Sequence, residues 1–538
     1  MRPGSSAVVL AVLAGVGCTS SPPPPVGGTD GGNELTVNMP IPGSGTTHPD
    51  CSWAQLGQNA AHTGVACAPA QGFTRVLAVV TFDPFVEQEV VDGNGDLLVH
   101  YQAPLVSGDD VYLETKSGSY VFCNGQATLP DGGPCGGDAW DSQVWGEVHH
   151  QWQSGGLIEV GRLDSDWKPV PAWLVGYWEP LFHSALDGDL LWVPGAGGTV
   201  HRIDRHTMLS LGRVNPFGTT TDPNLFVCGP ITVGPDGAVL YNVVRIADDL
   251  SDVSGVLVRI DPSGAVQAID YAALMTAAPA PTDACLAGYG SIPPVTRPPR
   301  PWPLSGSPRT TVGCGSMRPG INVAPAVGPD GTVFTVARPH NNSHAGALLA
   351  LEPNLTPKWS ATLQEILDDG CGVRIPADAQ ADGGLPDGGV DLLHCRVGAP
   401  LGVDPVTGQM PSGQVSDLST SSPVALPDGA VLYGAFNGYN NSRGHLLKFD
   451  STGRLVATYD DGWDQTPAVW SHDGTYDIIV KDNHYFSWFN DRQGPYRITQ
   501  VGADLTKNWS FTSTNTRSCA RSSGNTITCV SDHPDGFE

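Results

Sequence analysis

Two short phrases in the chain combine side chains able to hold a polar ligand: His340-Asn341-Asn342-Ser343-His344 and Asn440-Asn441-Ser442-Arg443. Amides, hydroxyls, imidazoles and a guanidinium gathered on loops can hydrogen-bond a sugar, a peptide or a cofactor. Asn and Ser are also good turn formers, so duplication of one loop between two strands accounts for the same repeat. Other candidates fail on spacing. His149 and His150 are neighbours in an extended stretch, where successive side chains leave by opposite faces, so they cannot share a metal ion. The run DGNGD at 92–96 opens like a calcium loop but lacks the glycine at its sixth position and the glutamate at its twelfth, which leaves a turn. No G-x-S-x-G, phosphate-binding or H-E-x-x-H motif occurs. No catalytic residue and no metal ligand is therefore assigned.

The elements that position these loops are hairpins. Residues 229–241 read GPITVGPDGAVLY, 324–336 read APAVGPDGTVFTV and 422–433 read SPVALPDGAVLY. Each is a short apolar strand, a Pro-Asp-Gly turn and a second apolar strand. Asp236, Asp330 and Asp428 supply turn chemistry in that setting and are not read as catalytic. Repeats of this size in one long chain point to an all-β propeller of four-stranded antiparallel blades. Six full blades can be laid out, with first strands at Leu97–Val106 and then from Pro180, Pro230, Pro325, Pro423 and Pro467. The apolar run at 74–82 predicts a lone strand of a partial seventh, giving either a seven-bladed type without its last blade or a six-bladed ring. Antiparallel strands alternate direction, so the long segments 119–144, 245–255, 271–322 and 364–421 all fall on one face. Loops on a rigid scaffold are where recognition is usually built.

Charge narrows the partners. The 538 residues carry 54 acidic and 27 basic side chains, a net charge of −27, with no basic run, which excludes nucleic acid. The 67 glycines and 47 prolines suit short strands joined by turns. Cysteine spacing reads as staples: Cys51 with Cys67, Cys123 with Cys135, Cys371 with Cys395, and Cys519 with Cys529 each close a short loop. Of Cys228, Cys285 and Cys314 one must be left over; pairing Cys285 with Cys314 leaves Cys228 free. Sequence alone does not fix that connectivity.

Residues 1–18 pair a minimal positive end at Arg2 with an apolar run from Ala7 to Val16 and a cysteine at Cys18, followed by the low-complexity TSSPPPPVGGTDGG. This resembles a bacterial lipoprotein signal, in which Cys18 is lipidated and becomes the mature N-terminus. Gly15 stands where that pattern prefers leucine. The other reading is an ordinary secretory signal cleaved nearby. Residues 19–50 form a Pro/Gly-rich tether expected to be disordered, and 51–538 a single propeller domain.

Trp53 followed by His62-Thr63-Gly64 resembles the opening phrase, roughly W-x-x-x-G-x-x-x-x-H-T-G, of the PQQ-like, quinoprotein-type β-propeller repeat proteins. The blade pattern extends that resemblance over nearly all of the mature chain. It implies, as one reading, a PQQ-dependent dehydrogenase using the quinone with Ca²⁺. The alcohol dehydrogenase branch places two adjacent cysteines beside the quinone, and this chain has no Cys-Cys. The leading reading is non-enzymatic: a cell-envelope lipoprotein, held to the membrane by its lipid alone, whose decorated face binds an envelope protein, a polysaccharide or a small ligand. A third reading, a propeller hydrolase or lyase acting on carbohydrate, requires clustered carboxylates at the channel mouth.

Overall fold

The computed structural model describes residues 51–530 apart from 68–75, 94–96, 122–139, 141, 177, 287–305, 307–310, 368–379, 382–394, 397–401, 404–407, 420, 438–442, 483–495, 515–517 and 523–525. The signal and tether lie outside it. Among the described residues six antiparallel sheets are built on a four-strand meander, and the strands of each are called A to D in chain order; two separate two-stranded hairpins complete the antiparallel pairings. Blade 1 comprises Leu105–Ser107, Asp110–Gly118, Gln143–Gln153 and Gly156–Asp164; blade 2 comprises Ala185–Asp187, Leu190–Pro194, Val200–Asp204 and Leu209–Val214. Blades 3 to 6 have their B strands at Val239–Ile246, Val333–Pro339, Val431–Asn437 and Thr475–Asp482. Blades 3 and 4 each gain a fifth strand, Leu225–Val227 and Met317–Pro319, against the far end of strand B.

The Pro-Asp-Gly turns are local chemistry, as expected. Asp236, Asp330 and Asp428 each accept a hydrogen bond through Oδ1 from the backbone N–H two residues on, at 3.1, 3.0 and 3.0 Å. The glycines that follow, Gly237, Gly331 and Gly429, have φ of 76°, 84° and 80°, where a side chain would be strained.

A feature not foreseen from the sequence holds the blades together. Residues 53–64 run across the inner strands at the hub and touch every blade in order. Trp53 exchanges backbone hydrogen bonds with Val106 of blade 1, at 2.8 and 2.9 Å. The carbonyl of Ala54 accepts from Leu186 of blade 2, and the Gln55 amide exchanges bonds with the backbone of Val233 of blade 3. The carbonyls of Ala60, Ala61 and Thr63 then accept from Val327, Ala425 and Val469 of blades 4, 5 and 6, at 2.7, 3.0 and 2.7 Å. The phrase Trp53 to Gly64 is thus a pin bridging the first and last blades. Its tight path requires Gly57 at φ 61°, where a Cβ would come within 2.6 Å of His62 Cα. His62 is fully buried, and its Nδ1 meets the Pro423 carbonyl at 2.8 Å. Burial lowers its pKa to about 4, and lowers that of His183 on the same scale, so both stay neutral.

Between blades the contacts are apolar with polar stitches. The Tyr271 hydroxyl of blade 3 bonds to Thr335 Oγ1 of blade 4 at 2.8 Å, and Trp359 Nε1 of blade 4 donates to the Ser451 carbonyl of blade 5 at 2.9 Å. Trp167 is buried against Trp145 and Phe182. Trp509, in strand D of blade 6, departs from that burial and is 43% exposed. The expected strand at 74–82 is a second departure, because its described part, 76–82, carries no strand pairing. Instead the Phe82 carbonyl accepts from Lys116 N and Thr115 Oγ1, placing the end of that segment against blade 1. A short helix over Val86–Asp92 follows.

Candidate functional site

All B-to-C and D-to-A connections leave the same end of the blades, as the strand order requires. On that face, where four connections of blades 1 to 3 meet, lies a cleft of about 520 Å³. Its walls include Trp140, Trp173, Phe226, Pro171, Lys168 and Asp222. Trp173 sits in a 3₁₀ turn, Ala172–Leu174, entered from Pro171 at φ −54°, ψ 141°. The ring is 43% exposed although large aromatic side chains are mostly buried. Lys168 Nζ donates to the Gln143 carbonyl at 2.7 Å, and Asp222 Oδ1 accepts from Asn224 N at 2.9 Å. At the rim Asp166 receives His201 Nε2 at 2.9 Å and pairs with the Arg213 guanidinium. Hydrogen bonds, His201 first, outweigh partial burial and hold the Asp166 carboxyl well below the usual range.

The expected polar phrases are placed differently. Asn440, Asn441 and Ser442 lie outside the described residues, and of Arg443 only its backbone, at the start of strand C of blade 5, is described. In the other phrase the side chains are engaged with the protein itself. Asn341 Nδ2 donates to the Gly313 carbonyl and Asn342 Nδ2 to that of Leu286, tying the loop to the hairpin closed by Cys285 and Cys314. Asn342 Oδ1 takes the His344 N–H, and Gln414 Nε2 lies 2.9 Å from His344 Nε2. Ser343 Oγ reaches Gln414 Oε1 at 3.5 Å. His340 accepts from Arg318 Nε through Nδ1 at 3.3 Å; burial, then Arg318 and Arg338, lower its pKa to about 4. The phrase from His340 to His344 lies on blade 4 and does not contribute to the cleft wall.

Beneath that phrase is a buried ionic clamp. Asp417 takes both Nη groups of Arg318, at 2.8 and 2.6 Å, and Arg338 Nη1 at 2.8 Å. Burial alone would push the Asp417 carboxyl up; the two guanidiniums outweigh it and keep it well below the usual range. This fastens the long excursion before blade 5 onto blade 4.

A second buried cluster lies behind the cleft. Lys168 Nζ sits 6.0 Å above the Trp145 ring, and Trp145 Nε1 donates to Glu179 Oε1 at 3.0 Å. Glu179, Asp83 and Glu89 then surround Lys116 Nζ at 2.8, 2.9 and 2.9 Å. Glu114 and Glu147 face each other on strands B and C of blade 1, bridged by Gln102, which donates its backbone N–H to Glu114 and its amide to Glu147. Burial pushes Glu147 up to about 7 and Glu89 to about 8, the latter against the pull of Lys116. Sequence reasoning missed this cluster; the signal was Glu114 and Lys116 on the same side of strand B, following its apolar run Val111–Leu113. Clustered carboxylates do exist, then, but these are sealed in the interior.

The described residues also bear on cofactor binding. Near the axis, Gln102 Oε1 takes Ser184 N, Asn322 Oδ1 takes Leu181 N, Ser422 Oγ takes Ala324 N, and Thr466 Oγ1 takes Ser422 N. These side chains stitch blade to blade: blade 1 to 2, blade 2 to 4, blade 4 to 5 and blade 5 to 6. Among the described residues no three His, Cys, Asp or Glu side chains are arranged to hold a metal ion.

Among the described residues two disulfides are formed, Cys51 with Cys67 and Cys285 with Cys314, and Cys228 is a buried free thiol. Cys123, Cys135 and Cys371 lie outside the described residues, while Cys395 is described only as backbone. Cys519 and Cys529 are direct cross-strand partners in a terminal hairpin. Disulfides suit an oxidising compartment. No helix among the described residues is long and apolar enough to cross a membrane.

No protein-family model and no curated protein matches the chain. Solved structures do. The chain is similar to BamB from Moraxella catarrhalis at 11% identity, over 80% of this chain and 95% of that one, with a TM-score of 0.32. It is also similar to the quinohemoprotein alcohol dehydrogenase ADHIIG from Pseudomonas putida HK5, at 10% identity, over 72% of this chain and 55% of that one, with a TM-score of 0.31. This chain therefore spans about half of the dehydrogenase.

Proposed function

We propose that the protein is an exported cell-envelope lipoprotein, anchored through Cys18, whose propeller is a binding module working through its decorated face. The observation that carries this reading is the cleft of about 520 Å³ with a solvent-facing Trp173 at its wall. It lies within the roughly 300–1,000 Å³ usual for ligand sites. The opposite face carries short turns whose aspartates are occupied with their own backbones.

Two measurements test it. A photo-crosslinking amino acid replacing exposed Thr221, beside the cleft, should give adducts in intact cells, and one replacing Ser263, in a C-to-D turn of the other face, should give none. Adducts from Ser263 alone, or from neither, would remove the reading. In the same cells the wild-type chain should fractionate with membranes and Cys18→Ser should be released. A Cys18→Ser protein that stays with the membrane would rule out the lipid anchor.

A further inference from the structure

The geometry points to a neutral polysaccharide as the occupant of the cleft, with pyranose rings stacked on Trp173. This rests on the decorated face being the binding surface and names what it binds. The negative face of an indole attracts the weakly positive C–H edges of a sugar ring, as it does other positive edges. Two features prepare Trp173 for that contact. Pro169 and Pro171 frame the turn that carries it, so the backbone is already restricted, and the ring has few torsions to lose on binding. Phe226, half-buried, adds a second apolar surface to the same cleft.

The polar groups at the cleft choose between ligand classes. Lys168 offers an ammonium whose position is set by the Gln143 carbonyl, and Asp222 offers a carboxylate with Oδ1 on Asn224 and Oδ2 without a partner among the described residues. A donor and an acceptor of fixed position suit neighbouring hydroxyls, which both give and accept. A polyanionic glycan would meet a chain of net charge −27. A proline-rich peptide could stack on the same indole, but its backbone lacks N–H donors, so Asp222 would be desolvated with nothing to accept from. A neutral sugar satisfies both groups.

The test titrates the purified chain with neutral hexaoses of glucose, mannose, galactose and xylose, with decaproline and with heparin, following tryptophan fluorescence and calorimetric heat. At least one hexaose should bind. Trp173→Ala should weaken it by about tenfold or more, in line with the loss of an aromatic anchor, and Asp222→Asn should weaken it by a smaller factor. Trp509→Ala, which removes an equally exposed indole away from the cleft, should leave it unchanged. Circular dichroism on each variant confirms that the fold is kept. Hexaose binding unaltered by Trp173→Ala overturns the site. Decaproline or heparin binding that Trp173→Ala abolishes overturns the ligand class. If no hexaose binds while Thr221 still crosslinks in cells, the saccharide is wrong and the binding face stands; if Thr221 fails too, both fall.

Discussion

A chain lacking residues 51–67 should give no cooperative unfolding transition. Those residues supply the acceptors for the backbone N–H groups of Leu186, Val233, Val327, Ala425 and Val469. Each buried donor left without a partner costs about 1–3 kcal/mol, and a whole domain is held by only about 5–15 kcal/mol. A milder form is Gly57→Val. It forces a branched side chain onto a φ of 61° and brings its Cβ within 2.6 Å of the His62 backbone, so the pin must leave its seat. Urea unfolding followed by tryptophan fluorescence reads both. If the truncated chain unfolds at the wild-type midpoint, the blades hold one another without the pin.

Lys116→Met should be the most damaging single change to blade 1, and its cost should grow with pH. Methionine fills much of the space but leaves Asp83, Glu89 and Glu179 buried without their cation. Breaking a buried ionic group this way costs about 3–5 kcal/mol. The sign follows from proton uptake. Glu89, raised to about 8, holds its proton in the folded chain over a range where the unfolded carboxyl has lost it. Stability from such a group is complete below the unfolded value of about 4.3 and is lost as pH rises through the folded one. Without Lys116 the carboxyls of Glu89 and Glu179 rise further, so the variant should lie nearest to wild type at pH 5 and furthest at pH 8. A deficit equal at both pH values would mean that the lysine is held for packing and not for charge.

The blades and turns were readable because they rest on local pattern. Pro-Asp-Gly sets a hairpin whatever surrounds it, and the three repeated phrases do form the A–B hairpins of blades 3, 4 and 5. The hub pin was not readable. Its phrase was recognised, but its work is done mostly by backbone carbonyls, which carry no residue signature. The lysine cluster draws on Asp83, Glu89, Lys116 and Glu179, far apart in the chain, and only the polar alternation at Glu114 and Lys116 announced it. The cleft escaped notice because four separate loops build it. The phrase from His340 to His344 was noticed for its polarity, yet that polarity is spent on fastening loops to blade 4.

The pin also dictates a timetable. It leaves the ribosome among the first residues of the domain, but Val469, which bonds to Thr63, follows some four hundred residues later. Contacts so remote in sequence close slowly. The ring therefore cannot close until blade 6 has been made.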